Sequence, residues 1–171
     1  MNEAYPRELK HKVNHIKTVL HDYDKTKLAV ERKRAHLKDK IRLPFIASGR
    51  HRHTFELSDE YVLKVGNPPS NEKEVNAWES VPEDVKKYFC PVVDYAEDYT
   101  WVVMRRADDI RNFSDLSKDQ CCDIEMELEQ KMMENNVIIY DVITKNIGML
   151  DDEPVIIDYA EFVDIDPTFY E

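Results

Sequence analysis

Hydrophobic positions along the chain change their period several times, and each change marks an element. Leu9, Val13, Ile16, Leu20 and Tyr23 recur at helical spacing, which predicts an amphipathic helix over residues 6–22 with Pro6 suited to its first turn. Asp24 can cap a second helix reaching about Ile41, whose stripe of Val30, Leu37 and Ile41 is thin among Lys and Arg. Pro44 ends this basic helical extension. From Phe45 the period falls to two. Phe45-Ile46-Ala47 opens a strand, Ser48-Gly49-Arg50-His51-Arg52 is a cationic connection, and Thr54-Phe55-Glu56-Leu57 returns. After the turn Ser58-Asp59-Glu60 comes Tyr61-Val62-Leu63-Lys64-Val65. There Tyr61, Leu63 and Val65 share one face, and Val62 and Lys64 the other. Lys64 is either an edge cation that discourages aggregation or an inward cation holding anionic oxygens.

Pro68-Pro69 reads as a break, and Asn71-Glu72-Lys73-Glu74 as a capping box opening a helix to about Ser80. Glu74 then has two readings, the capping partner or an ion-pair partner of Lys64. Strands follow over residues 92–96 and 100–104, then a linker over 105–112. Ser117 with Gln120 predicts a capped helix over 118–135 with the stripe Cys121, Ile124, Leu128 and Met132. Val137-Ile138-Ile139-Tyr140 leads into a hairpin: Ile147-Gly148-Met149-Leu150, the turn Asp151-Asp152-Glu153-Pro154, and Val155-Ile156-Ile157. A hairpin brings its ends together, so Asn146 and Asp158 are expected side by side, with Asp141 on the loop leading in. Two carboxylates and an amide oxygen are hard ligands suited to Mg²⁺ shared with a phosphate-bearing substrate. The alternative is an acidic surface hairpin.

Composition narrows the class. The chain has 171 residues, 42% hydrophobic and 35% charged, as expected of one soluble globular domain or one and a half. Three glycines exclude glycine-rich loops and repeats. The segment MNEAYPRELKHK has no apolar core, so neither a signal peptide nor a membrane span is expected. Cys90, Cys121 and Cys122 form no CxxC, which favours a reducing, cytoplasmic setting over a disulfide or zinc framework. The net charge of −11 is uneven. Residues 1–42 carry twelve Lys and Arg against six Asp and Glu, and the rest twelve against twenty-nine. The basic part can meet nucleic acid or an acidic partner; a solvated helix, or one docked on the chain's own acidic body, is the preferred reading. His11 and His15 lie at i,i+4 among lysines with no third metal ligand in sight, and are expected on the surface.

The order of elements and motifs resembles the protein-kinase-like fold, with its aminoglycoside-phosphotransferase-like relatives. In detail it is similar to short kinase-like proteins of phages and prokaryotes, through Gly49-Arg50-His51-Arg52-His53-Thr54-Phe55-Glu56-Leu57 and Tyr61-Val62-Leu63-Lys64-Val65. The resemblance covers residues 45–165. It implies an α+β, two-lobed fold: a basic helical extension (1–42), an N-lobe with a five-stranded antiparallel sheet (43–106), and a truncated C-lobe with catalytic loop and metal-binding hairpin (107–171). It implies ATP and Mg²⁺ as cofactors. Lys64 matches the lysine on the nucleotide phosphates and Glu74 the helix glutamate that positions it. Gly49, Arg50, His51 and Arg52 match the phosphate loop, and Met104 precedes the adenine-side linker. Asp141 matches the catalytic-loop aspartate, Asn146 the metal-binding asparagine, and Asp158 of Asp158-Tyr159-Ala160 the metal-binding aspartate.

Departures from the pattern are specific. One glycine stands where such loops usually carry three. Ile143 occupies the place of a catalytic-loop cation, Ile139-Tyr140 replaces His-Arg, and Ala160 replaces the last glycine of DFG. Only nine residues follow Phe162, so no activation segment or peptide-gripping helical subdomain is expected. The expectation is a small ATP-dependent phosphotransferase of unknown acceptor; the alternative is a catalytically inactive, pseudokinase-like module that binds a protein partner.

Overall fold

The computed structural model describes residues 6–24, 40–49, 51–113, 115–160 and 162–164. Residues 25–39, the bulk of the second helix expected over residues 24–41, and Arg50 fall outside them. The chain divides into two units, residues 1–71 with 93–104, and residues 72–92 with 105–171.

In the first unit, helix α1 (Arg7–Asp24) lies against a five-stranded sheet. Its strands are β1 (Phe45–Ser48), β2 (Arg52–Glu56), β3 (Tyr61–Gly66), β4 (Val92–Tyr95) and β5 (Trp101–Arg105), in the order β1-β2-β3-β5-β4. The β1/β2 and β2/β3 pairs are antiparallel, with Phe55 opposite Leu63 and Thr54 opposite Lys64. Leu9, Val13 and Ile16 repeat on one stripe of α1 and join Phe55, Leu63, Val65, Trp101 and Val103 in one core cluster. Alternation along β3 then turns Lys64 to the opposite face. Lys12 Nζ donates to Leu57 O at 3.0 Å, tying the helix edge to the end of β2. His11 and His15 are exposed.

The β1–β2 connection is a tight turn, with Gly49 N–H donating to Arg52 O at 2.9 Å. It presses on the end of β3, where Asn67 N–H donates to His51 O at 3.0 Å. Gly66 permits this approach. Its φ of +153° is one that side-chain-bearing residues rarely adopt, and a Cβ there would overlap the His51 carbonyl oxygen.

Helix α2 (Pro68–Ser80) starts three residues before the capping box read from sequence. The two prolines occupy its first turn, where an N–H has no helical acceptor and a fixed φ is an advantage. Asn71 is therefore no cap. It is fully buried, and its Nδ2 donates to Tyr99 O at 2.7 Å.

The second unit holds the rest of α2 and helix α3 (Lys118–Glu134). Its strands are β6 (Asp108–Asp109), β7 (Val137–Ile139), β8 (Ile147–Leu150), β9 (Glu153–Ile156) and β10 (Phe162–Asp164). The capping box at α3 forms as expected: Ser117 Oγ accepts from Gln120 N–H at 3.2 Å, and Gln120 Oε1 from Ser117 N–H at 2.9 Å. Cys121, Leu128 and Met132 are buried along its stripe. Strands β6, β8 and β9 form one sheet, and β10 pairs antiparallel with β7. The expected linker over 105–112 thus contains a short strand, Asp108 opposite Met149, and a 3₁₀ turn over Ile110–Asn112. The β8–β9 turn is two residues, Asp151 and Asp152, both at positive φ, so Glu153 and Pro154 belong to the strand. All three cysteines are free. Among the described residues, no helix is long and apolar enough to cross a membrane.

Candidate functional site

Two ladders of the second unit set the position of the acidic residues. Strand β7 leads into residues 140–146, which lead into β8; β9 leads into residues 157–161, which lead into β10. Because β8 pairs with β9 and β7 with β10, both connections emerge at matching ends of paired strands. Asp141 and Asn146 lie on the first connection and Asp158 on the second. Ile157 N–H donates to Asn146 O at 2.8 Å, which fixes Asp158 one residue from the backbone opposite Asn146.

Within the first connection the chain folds on itself. Asn146 Nδ2 donates to the backbone oxygen of Asp141 at 2.9 Å and to its Oδ2 at 3.2 Å. The amide nitrogen is thereby committed to Asp141, and the amide oxygen is the atom turned away from that carboxylate. Lys145 Nζ stands 3.9 Å from Asp141 Oδ2. The 3₁₀ turn Thr144–Asn146 closes with Asn146 N–H on Ile143 O at 2.7 Å. Its leading residue, Ile143, offers no side-chain cap. Glu125 of α3 supplies the acceptor instead: its Oε2 takes the Thr144 N–H at 2.6 Å and also the Thr144 hydroxyl.

The second connection is pinned from beneath. Asp158 is exposed while Tyr159 is fully buried. The Tyr159 hydroxyl donates to Cys90 O at 2.7 Å, and its ring meets Phe89 edge-on at 5.1 Å. Cys90 N–H in turn donates to Ile156 O at 2.9 Å. Tyr159 N–H donates to Glu74 Oε1 at 3.4 Å, so the Glu74 carboxylate, fully buried, serves the residue beside Asp158 and is not the helix cap.

The residues of the β1–β2 connection and Lys64 belong to the first unit. Gly49 and His51 are exposed, Arg52 is buried, and Lys64 is 8% exposed at the centre of the sheet opposite Thr54. Met104 is buried at the end of β5.

The donor set suits Mg²⁺. An exposed carboxylate and an amide oxygen are the few hard ligands that Mg²⁺ takes from protein when phosphates and water complete its shell. Among the described residues, no group of three or more His, Cys, Asp or Glu is gathered as a metal cage. Elsewhere in this unit, Asp109 is held below the usual carboxylate range by hydrogen bonding from the Arg111 side chain, against an opposing effect of burial.

Sequence reading missed the Glu125 contact. Its signal was a carboxylate on α3 between Cys121 and Leu128, at the flank of the buried stripe. The Tyr159 hydroxyl contact and the pairing of β6 depend on tertiary neighbours and leave no local mark.

No family model matches the sequence, and no curated protein does. Solved structures do. The high-resolution crystal structure of WbdD aligns at a TM-score of 0.55 with 14% identity, over 74% of this chain and 34% of that one. The co-crystal structure of WbdD with the kinase inhibitor LY294002 aligns at 0.53 with 15% identity, over 74% and 35%. The bifunctional kinase-methyltransferase WbdD at medium resolution gives 0.50 with 15% identity, over 71% and 32%. The chain spans about a third of the length of these proteins. The fold is protein-kinase-like, with a five-stranded sheet of the N-lobe type and a small C-lobe.

Proposed function

We propose that this chain is a small Mg²⁺- and ATP-dependent phosphotransferase. The observation that carries the reading is the contact of Asn146 Nδ2 with Asp141 on a connection matched, strand for strand, to the one bearing the exposed Asp158. This is a carboxylate held for an acceptor hydroxyl beside two oxygen donors for a metal. Asp141 orients the hydroxyl and receives its proton as the acceptor oxygen bonds to the γ-phosphorus of ATP and the bond to ADP breaks, ADP leaving with the electron pair. Asn146 and Asp158 would hold Mg²⁺, which when bound would neutralise phosphate charge. Lys64 is assigned to the nucleotide phosphates, with Gly49, Arg50, His51 and Arg52 on the connection that covers them. Met104 is assigned to the adenine side. Glu74, through the Tyr159 N–H, steadies the backbone of Asp158. A kinase named among the matching structures supports the class of reaction, and the free cysteines fit the reducing, cytoplasmic setting that the reading assumes.

The test is ADP formation from Mg²⁺-ATP by the purified chain. The reading expects turnover that is lost in Asp141→Asn and in Asp158→Ala while both variants stay folded. Turnover that persists in Asp158→Ala would show the metal ligands to be elsewhere.

A second reading, a catalytically inactive module that binds a protein partner, has one observation in its favour. Ile143 puts an apolar side chain where a catalytic cation is expected, and the ammonium nearest Asp141 in this loop, Lys145, belongs to an exposed side chain 3.9 Å away. Specific Mg²⁺-ATP binding without turnover under any acceptor would favour this reading.

A further inference from the structure

We propose that Glu125 is a positioning residue for the Asp141 loop, acting through Thr144. The inference rests on the phosphotransferase reading. Residues 141–146 carry the reactive carboxylate at one end and the metal-side amide at the other, and the turn between them lacks a cap of its own. A 3₁₀ turn begins with an N–H that has no partner inside the turn. Here that N–H belongs to Thr144, and the half-buried Glu125 accepts it at 2.6 Å together with the Thr144 hydroxyl. One side chain of helix α3 thus fixes Thr144 at two points, its backbone N–H and its hydroxyl.

The clamp acts on both neighbours. Thr144 joins Ile143, whose carbonyl holds Asn146 N–H at 2.7 Å, to Lys145, whose ammonium stands 3.9 Å from Asp141 Oδ2. Helix α3 is itself anchored by Cys121, Leu128 and Met132 in the core of the second unit. The path from that core to the reactive carboxylate therefore runs Glu125, Thr144, then the Asn146–Asp141 contact. Freed from Glu125, the turn would let Asp141 drift, and a displacement of about 1 Å in a reacting group is enough to cost roughly 100-fold in rate.

The experiment measures Mg²⁺-ATP hydrolysis, with water as acceptor. The water oxygen bonds to the γ-phosphorus as the bond to ADP breaks, ADP leaves with the electron pair, and a water proton passes to Asp141. Glu125→Ala should lower kcat by about 10- to 100-fold, with a much smaller change in KM for ATP and in the Mg²⁺-ATP thermal shift, because Asp158 is not on the clamped loop. Glu125→Gln, which keeps an oxygen acceptor, and Thr144→Ser, which keeps the hydroxyl, should stay within a few-fold of the parent. Thr144→Val should follow Glu125→Ala. Equal losses in Glu125→Ala and Glu125→Gln, or a rise in KM with kcat intact, would overturn the proposal. Should Glu125→Ala fail to fold, the contrast between Thr144→Val and Thr144→Ser decides in the same way. Amide exchange separates the two layers of the argument. Unchanged exchange at residues 142–146 in Thr144→Val disproves the clamp by itself. A parent protein with no Mg²⁺-ATP shift disproves the phosphotransferase reading, and the catalytic purpose of the clamp with it, even where exchange shows the clamp to exist.

Discussion

Asn146 spends its amide nitrogen on Asp141, donating to the backbone oxygen at 2.9 Å and to the carboxylate at 3.2 Å. One side chain thereby sets both the path of the loop and the direction of the carboxylate. Asn146→Ala should destabilise the protein by about 1–2 kcal/mol, since it removes hydrogen bonds from a mostly buried site, and should abolish turnover. Asn146→Asp keeps the size but sets a second carboxylate against Asp141, and is expected to cost at least as much at neutral pH. Urea midpoints of the two variants, measured at pH 7 and pH 4, check this: the Asp variant should recover part of its loss at the lower pH.

The buried Tyr159 hydroxyl is the second anchor of the site. Tyr159→Phe leaves the Cys90 carbonyl without its 2.7 Å donor and should cost about 1–3 kcal/mol. The loss should appear as a lower denaturant midpoint at constant m-value. A neutral substitution would mean that this contact does not hold the Asp158 connection.

Ile16 tests the role of α1. It is buried in the cluster with Phe55, Leu63 and Trp101, on the sheet face turned away from Lys64. Ile16→Ala should cost about 2–5 kcal/mol, with no change in the affinity for Mg²⁺-ATP. A large change in nucleotide affinity at unchanged stability would contradict this placement of the helix.

Much of this arrangement was legible in the sequence because it is local. The 3.6-residue stripe Leu9-Val13-Ile16 and the period-two runs at Phe45, Thr54, Tyr61, Val92 and Thr100 each gave an element within a few residues of its observed bounds. Ser117 and Gln120 gave the start of α3 through a cap that is wholly local. Hairpin logic gave the approach of Asn146 to the segment carrying Asp158, although the turn is two residues, shorter than expected. The start of α2 differs from the expected one because Pro68 and Pro69, a break by pattern, fit the first helical turn, and Asn71, a cap by pattern, gives its amide to Tyr99. Strand β6, the Glu125–Thr144 contact and the Tyr159–Cys90 contact join residues 19 to 69 positions apart in chain or pair a two-residue strand. No periodicity or cap motif encodes such pairings.

Acid stability has an identifiable contributor outside the site. Asp109 caps the 3₁₀ turn at Ile110–Asn112 and is hydrogen-bonded by the Arg111 side chain, which lowers its pKa from the ordinary value. A carboxyl whose folded pKa lies below its unfolded one contributes stability above the unfolded value, about 3.9 for Asp, and loses it as pH falls through the folded value. The stability difference between the parent and Asp109→Asn should therefore be full at pH 5–7 and shrink below about pH 4. Denaturation midpoints across that range check it, and a difference that grows toward low pH would reverse the sign.

If Asp158 helps to hold a metal-bound nucleotide, as proposed, Mg²⁺-ATP should raise the melting temperature of the protein. At ten times Kd the ligand should add roughly 1.4 kcal/mol, about 3–6 °C in Tm for a chain of this size. That shift is expected in the parent protein, and its loss in a folded Asp158→Ala variant. A parent protein that does not respond to millimolar Mg²⁺-ATP, or a variant that responds as fully as the parent, would contradict it.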